Sequence, residues 1–184
     1  EVDWTRDTTA MIVRKIRAAD SAPGVLDASM GQPYFLYGAH EEERWHGAPG
    51  EVLAQRHGAI CRGTIDGAVW ITHLKSKDKD GVAGIKLPAV QVLGRRVQGI
   101  RTSTLPIAAT VDHKTYREIR YVERDQVGYL SFDFYNGAMS TEQCVRLRDA
   151  FLFARGRPTR VIALLGGEGF FSNGIDLNAI EAAA

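Results

Sequence analysis

The fold of the second half of the chain is decided by the stretch VIALLGGEGFFSNGIDL, residues 161–177. Its first five residues form a continuous apolar run, which is typical of a strand buried on both faces of a sheet. A glycine-rich loop follows at 166–169, and Phe170 to Ile175 lead into a final helix. This order predicts a strand, a tight loop and a helix start, where free backbone N–H groups favour negative charge on a bound oxygen.

The glycines of this loop have two interpretations. They favour an anion site of exposed N–H groups, or they only permit the chain to turn tightly, and the sequence leaves both open. A dinucleotide fingerprint is disfavoured, because Ser172 stands at the last position of the Gly-x-Gly-x-x-Gly pattern that starts at Gly167. Asp176 is a candidate acid–base group, but an aspartate in the first turn of a helix is more typically a cap.

Upstream of this stretch the pattern predicts two strands and a helix. The strands are expected over 116–123 and 127–134, with a short turn between them. Ser140 and Gln143 have the spacing of a capping box, which predicts that a helix begins there. Residues 127–184 are therefore predicted to form a β-α-β-α unit.

The first half of the chain has a different pattern. Apolar residues at helical spacing predict a helix over 5–19, which Pro23 and Gly24 follow. Short apolar runs come next, at 34–37, 51–54, 59–61 and 68–74. Turn signals separate them, at Gly47–Gly50, His57–Gly58, Asp66–Gly67 and Lys79–Gly81. Strands of this length and spacing predict a small antiparallel barrel or sandwich, with a hairpin at Asp66–Gly67. Residues 87–114 lack periodicity and are predicted to be a linker that lies along a surface.

Composition excludes several functional classes. The 184 residues carry a formal charge of +1, so nothing indicates a nucleic acid or an anionic membrane as partner. No apolar run approaches the length of about 18 residues that a transmembrane helix needs. Cys61 and Cys144 lie too far apart for a disulfide scaffold, which predicts a reduced, cytoplasmic protein. The histidines lack metal-ligand spacing, so no metal site is predicted.

The motifs of the second half resemble those of the crotonase (enoyl-CoA hydratase/isomerase) family. Tyr135–Ser140, a helix, a strand and then the loop Gly167–Leu177 occur in the order and spacing of that family. The resemblance implies that the backbone N–H of Ile175 is one of two oxyanion-hole donors to a thioester carbonyl. It also implies that the coenzyme A side of the pocket is lined by Ala138, Ser172, Asn173, Gly174, Asp176 and Leu177. Asn173 departs from the alanine usual in the family, and the family's second donor and acid–base side chains lie further downstream.

The first half resembles the C-terminal module of formyltransferases that use formyltetrahydrofolate. The resemblance rests on the segment Arg14-Lys-Ile-Arg-Ala-Ala-Asp-Ser-Ala-Pro-Gly24 and on the turns Gly47–Val52 and Asp66–Gly67. In that family the module is a small open β-barrel that supports substrate placement. Formyltetrahydrofolate and the catalytic residues would belong to an upstream domain that this sequence does not include.

A formyltransferase module followed by a crotonase start resembles the HypX (HoxX) family of hydrogenase-maturation proteins, and the chain is expected to be an internal fragment. The implied fold is a two-part α+β and α/β chain. It has an open barrel with a leading helix at 1–86, a linker at 87–114 and a truncated N-terminal part of a crotonase-like domain at 115–184. The implied parent enzyme passes a formyl group from formyltetrahydrofolate to coenzyme A. It then decarbonylates formyl-CoA to give the CO ligand of [NiFe] hydrogenase.

This resemblance implies a CoA thioester as ligand, and the hydrogenase large subunit or other maturation factors as partners. The fragment alone is expected to be inactive, because both catalytic centres are incomplete. Two alternatives stay open. One is an ordinary acyl-CoA hydratase or isomerase with an unusual N-terminal extension, and the other is a non-enzymatic module that docks a hydrogenase subunit.

Overall fold

The computed structural model of the chain describes residues 1–78 and 84–184. The turn predicted at Lys79–Gly81 therefore lies outside the described residues. The chain divides into two compact units, Glu1–Thr104 with Asp112–Tyr116, and Leu105–Val111 with Arg117–Ala184. In the part of the chain that the structure describes, we find no helix with the length and apolar character needed to cross a membrane.

The first unit is built on one antiparallel sheet. Its strands are β1 (Val25–Asp27), β2 (Tyr34–Glu42), β3 (Val52–Arg56), β4 (Ala59–Gly63), β5 (Ala68–Ser76) and β6 (Leu87–Pro88). They lie in the order β1-β2-β5-β4-β3, and β6 pairs with β5. The hairpin predicted at Asp66–Gly67 is confirmed, because β4 and β5 pair there in antiparallel register from Gly63 opposite Ala68. Strands β1 and β6 were not expected from the sequence.

The first helix, α1 (Thr9–Ala18), is shorter than the predicted 5–19. It begins later because Thr8 is the N-cap, and its side chain accepts a hydrogen bond from the backbone N–H of Met11 at 3.3 Å. Ile12 and Ile16 are fully buried against the sheet in the core of this unit. The apolar spacing therefore identified the correct face of the helix but not its first residue.

The first part of the segment 87–114, for which the sequence predicts a linker, is folded. It contains β6, a short helix α2 (Ala89–Leu93) and a 3-10 turn (Gly94–Val97). Ala89, Leu93 and Val97 are buried in the main apolar cluster. The segment adds these residues to the core through a helix of only five residues, which is too short to produce a recognisable periodic pattern in the sequence.

Two buried arginines organise the polar interior of the first unit. Arg62, 1% exposed, forms an ion pair with Asp27 at 2.6 Å and donates to the Gly50 carbonyl at 2.7 Å. Its guanidinium lies 3.8 Å from the centre of the Trp4 ring, and the Trp4 indole donates to Asp27 at 3.1 Å. Burial by itself raises the pKa of Asp27, but Arg62 and the hydrogen bonds from Ser29 and Trp4 lower that pKa below its ordinary value.

The second arginine, Arg56, holds the segment around Ser103 and Tyr116. Its guanidinium donates to the Tyr116 carbonyl at 2.6 Å and to the Ser103 hydroxyl at 2.7 Å. It also lies 4.5 Å from the centre of the Trp70 ring. Cys61 packs in the same cluster, and burial raises the pKa of its thiol.

The second unit is a β-β-α-β-α arrangement. Its elements are β7 (Ile119–Arg124), β8 (Val127–Phe132), α3 (Thr141–Arg155), β9 (Val161–Leu165) and α4 (Leu177–Glu181). The sheet order is β7-β8-β9, in which β7 and β8 are antiparallel and β8 and β9 are parallel. The predicted helix start is confirmed, because Ser140 and Gln143 form a complete capping box.

Strand β9 has the predicted bounds but not the predicted burial. The sequence predicts a strand buried on both faces, whereas Val161 and Leu165 are 56% and 44% exposed. The reason is its place in the sheet, since β9 is the outer strand next to β8. Continuous apolar character therefore identified the strand correctly but gave the wrong environment within this chain.

The buried hydroxyl of Tyr121 gives a prediction for the β7–β8 hairpin. Among the residues that the structure describes, none forms a hydrogen bond with this hydroxyl. A side chain at Gly128 would place a carbon 2.5 Å from it. We expect Tyr121→Phe to leave the hairpin unchanged or to stabilise it by up to about 1 kcal/mol, because a buried unpaired hydroxyl is costly. Hydrogen exchange of the β7 and β8 amides measures this, and faster exchange would contradict it.

Candidate functional site

Two loops of the second unit are joined by backbone hydrogen bonds. The N–H of Asn173 donates to the Gly137 carbonyl at 2.7 Å, and the N–H of Met139 donates to the Gly174 carbonyl at 2.9 Å. The N–H of Asp176 then donates to the Met139 carbonyl at 3.0 Å. These bonds form a short parallel bridge between Met139 and Ile175. The bridge fixes the loop that the sequence identifies as the candidate site.

The backbone N–H of Ile175 has a different position from its neighbours. On either side of it, the Gly174 carbonyl and the Asp176 N–H are hydrogen-bonded to the backbone of Met139. Because alternate backbone groups of an extended segment face opposite sides, the Ile175 N–H faces away from Met139. Within residues 1–78 and 84–184, we find no acceptor for it. The arrangement leaves one oriented donor for the oxygen of a ligand.

An open cavity of about 600 Å³ has Ile175 among its lining residues. It lies between the start of α3 and the loop that leads into α4, and its surface is mostly apolar. It is lined by Met139, Ser140, Thr141, Cys144, Ile175, Asp176, Ala179, Ile180, Ala183 and Ala184. A cavity with apolar walls and few polar groups suits a small organic ligand.

The glycines of the candidate site serve close packing at some positions and not at others. At Gly137, where φ is +66°, a side-chain carbon would lie 2.5 Å from Cβ of Phe170 and 3.2 Å from the N of Asn173. At Gly166, a side-chain carbon would lie 2.8 Å from the Phe170 carbonyl oxygen. At Gly169 nothing described lies within 4 Å. The tight-turn interpretation therefore holds for Gly166, and Gly137 on the facing loop is packed as closely.

Comparisons with known proteins cover both halves of the chain. Residues 1–86 match the family model "Formyl transferase, C-terminal domain". The hydrogenase maturation factor HoxX of Bradyrhizobium diazoefficiens is 43% identical over an alignment 185 residues long, which covers 99% of this chain and 30% of HoxX. The crystal structure of an Aquifex aeolicus HypX variant superposes with a TM-score of 0.93 at 49% identity, over 98% of this chain and 31% of HypX. The chain is a homologue of HypX and HoxX.

This relationship covers only part of each relative. The chain spans about 30% of the length of HoxX and 31% of HypX. A further crystal structure of A. aeolicus HypX, with the same TM-score of 0.93 and 49% identity, is a complex with tetrahydrofolic acid. The similarity to HypX extends through the candidate site, because it includes 98% of the chain.

The structure brings together only some of the predicted site residues. Ile175 and Asp176 line the cavity. The remaining predicted residues are not among those that line it, namely Ala138, Ser172, Asn173, Gly174 and Leu177. Asp176 is the N-cap of α4 and accepts hydrogen bonds from the N–H groups of Asn178 and Ala179 at 3.0 and 3.3 Å, so the capping interpretation is confirmed.

Sequence reasoning missed the contribution of α3 to the cavity. Thr141 and Cys144 line it from the first turns of the helix, and Cys144 is an exposed free thiol. The available signal was the capping box at Ser140, since a helix that begins beside the Met139 bridge must present its first turn to the loop that contains Ile175.

Proposed function

We propose that this chain is an internal segment of a HypX-type enzyme, in which residues 115–184 begin a crotonase-like domain that binds a CoA thioester. The single observation that carries the proposal is that Ile175 lines an apolar cavity while its N–H has no acceptor among the residues that the structure describes. A preorganised donor in an apolar site stabilises negative charge on a carbonyl oxygen more strongly than water does. The crotonase-like motif between Tyr135 and Leu177 supports the same assignment.

The proposed reaction has two steps. First, an upstream domain transfers the formyl group from formyltetrahydrofolate to the thiol of coenzyme A. Then formyl-CoA loses CO: the carbon–sulfur bond breaks with its electron pair on sulfur, and the formyl hydrogen moves, as a proton, to the released thiolate. The atoms balance without an oxidant or reductant. The CO would become the iron ligand of a [NiFe] hydrogenase, whose large subunit is the proposed partner. HoxX, a relative of this chain, is named a hydrogenase maturation factor.

In this scheme the first half of the chain supports the upstream domain. HypX from A. aeolicus binds tetrahydrofolic acid, and residues 1–86 of this chain match a formyl transferase C-terminal domain. We assign no catalytic step to these residues. The free thiols Cys61 and Cys144 fit a reducing, cytoplasmic setting.

The test compares two substitutions at Ile175 in the full-length enzyme. Both remove the isoleucine side chain, but Ile175→Pro also removes the N–H, whereas Ile175→Ala retains it. With formyl-CoA as substrate and CO captured by deoxyhaemoglobin, we expect Ile175→Pro to lower kcat by about 10²–10³-fold, and Ile175→Ala to lower it much less. Equal losses would reject the donor role.

Other substrates separate the alternatives. Hydration of crotonyl-CoA without CO release would identify an ordinary hydratase. Absence of any CoA-thioester turnover, together with capture of a hydrogenase large subunit, would identify a docking module. Production of CO from formyltetrahydrofolate and CoA supports the proposal.

A further inference from the structure

A side-chain amide at the start of α3 links the candidate site to the residue that directly precedes β7. Gln143, which is 8% exposed, accepts a hydrogen bond from the N–H of Ser140 at 3.0 Å through Oε1. Its Nε2 donates to the carboxylate of Glu118 at 2.9 Å. One amide therefore connects the start of α3 with a residue 25 positions earlier in the chain.

Glu118 is held firmly at the other end of this link. It is 4% exposed and lies directly before β7. Arg146, one turn beyond Gln143 on α3, donates to Oε2 of Glu118 at 2.6 Å through Nη2 and at 3.1 Å through Nε. The carbonyl of Glu118 accepts from the N–H of Asp133 at 2.8 Å. The two carboxylate oxygens thus have separate partners, Gln143 on one and Arg146 on the other.

The link continues to the open donor. Ser140 directly follows Met139, whose N–H and carbonyl bind Gly174 and Asp176. Fixing the N–H of Ser140 therefore fixes the orientation of the Met139 peptide groups. These in turn fix the backbone on both sides of Ile175. Because an oriented donor loses effect with displacements of about 1 Å, the path from Glu118 sets the direction of the Ile175 N–H.

We infer that Glu118, acting through Gln143, is a positioning residue for the thioester carbonyl, and this inference rests on the proposed function. A capping box needs only Ser140 and Gln143. The buried Glu118 carboxylate adds nothing to that cap, yet it determines which end of the Gln143 amide faces Ser140. A buried carboxylate is costly unless it is paired, and Arg146 supplies that pairing, which leaves the other oxygen of Glu118 to orient the Gln143 amide.

The test exchanges the two partners in the full-length enzyme. In Glu118→Gln, the new amide cannot accept from both Gln143 and Arg146, and in Gln143→Glu two carboxylates face each other. In the double variant, the amide at 118 donates to the carboxylate at 143 and accepts from Arg146, while the carboxylate at 143 still accepts from Ser140. The series of hydrogen bonds is then complete again, with donor and acceptor exchanged between positions 118 and 143.

We expect each single variant to lower kcat for formyl-CoA by about 10-fold or more with little change in KM, because misdirected groups of this kind cost up to about 10²-fold. The double variant is expected to recover most of the activity. With ¹³C-labelled acetyl-CoA bound, the infrared carbonyl band should shift back toward its position in free solution in the single variants and return in the double variant. Ala150→Gly in α3 is the control, since glycine weakens the helix without touching the path.

The outcomes separate this inference from the proposed function. If the single variants behave like Ala150→Gly, or if the double variant fails to recover while Ile175→Pro still abolishes turnover, the positioning role is rejected and the donor role stands. If Ile175→Pro and Ile175→Ala lose activity equally, the proposed function fails and the inference fails with it.

Discussion

Replacement of Arg62 by methionine is expected to lower the free energy of unfolding of the first unit by about 3–5 kcal/mol. Methionine occupies a similar volume, so the loss comes from the charge and the hydrogen bonds. The substitution leaves the carboxylate of Asp27, which is 3% exposed, without its cation at 2.6 Å. It also removes the donors to the Gly50 carbonyl and the stacking on Trp4.

Urea unfolding followed by tryptophan fluorescence measures this loss, because Trp4, Trp45 and Trp70 all belong to the first unit. The matched control is Arg44→Met. Arg44 is also paired with an aspartate at 2.6 Å, but the two side chains are 60% and 77% exposed. An exposed pair of this kind contributes less than about 1 kcal/mol. Similar losses in the two variants would show that burial does not determine the strength of these pairs.

The effect of Arg62→Met should depend on pH. The pKa of Asp27 is lowered in the folded protein, so its contribution is complete above its unfolded pKa of about 3.9 and is lost as the pH falls through the folded value. Without Arg62, burial raises that pKa, and the carboxyl takes up a proton at a higher pH. The difference in the free energy of unfolding between wild type and Arg62→Met is therefore largest at neutral pH. It becomes smaller as the pH falls toward 3.

Local sequence signals predicted the second unit well. The capping box at Ser140 and Gln143 located the start of α3, and the apolar run Val161–Leu165 gave β9 with its observed bounds. The aspartate at 176 was correctly interpreted as a cap. These features depend on residues within a few positions of one another, so the sequence contains all the information that they require.

Features that depend on distant residues could not be predicted. The ion pair of Asp27 and Arg62 joins residues 35 positions apart, and no periodicity connects them. The bridge between Met139 and Ile175 likewise joins two loops that α3 and β9 separate in the sequence. The family resemblance pointed to the Ile175 N–H, whereas the hydrogen bonds from Glu118 through Gln143 to Ser140 needed the structure.

Gly137→Ala is the substitution expected to disturb the candidate site most, with a loss of about 2–4 kcal/mol in the second unit. Two effects add at this position. The backbone has a φ of +66°, which an alanine adopts only at a cost, and the new carbon would overlap Cβ of Phe170 at 2.5 Å. Relief of the overlap requires the loops to separate, which breaks the bonds from Met139 and Asp176.

Two control variants separate strain from overlap. Gly174 has a φ of +86° with nothing described within 4 Å, so Gly174→Ala adds strain alone and is expected to cost about 1–2 kcal/mol. At Gly169 neither effect applies, and Gly169→Ala should stay within about 0.5 kcal/mol of wild type.

Hydrogen exchange of the Met139 and Asp176 amides is the measurement, since both are hydrogen-bonded only while the bridge is closed. We expect these amides to exchange slowest in Gly169→Ala, faster in Gly174→Ala and fastest in Gly137→Ala. If Gly137→Ala exchanges no faster than Gly174→Ala, the two loops can separate without loss, and the close approach at Gly137 does not hold the Ile175 donor in place.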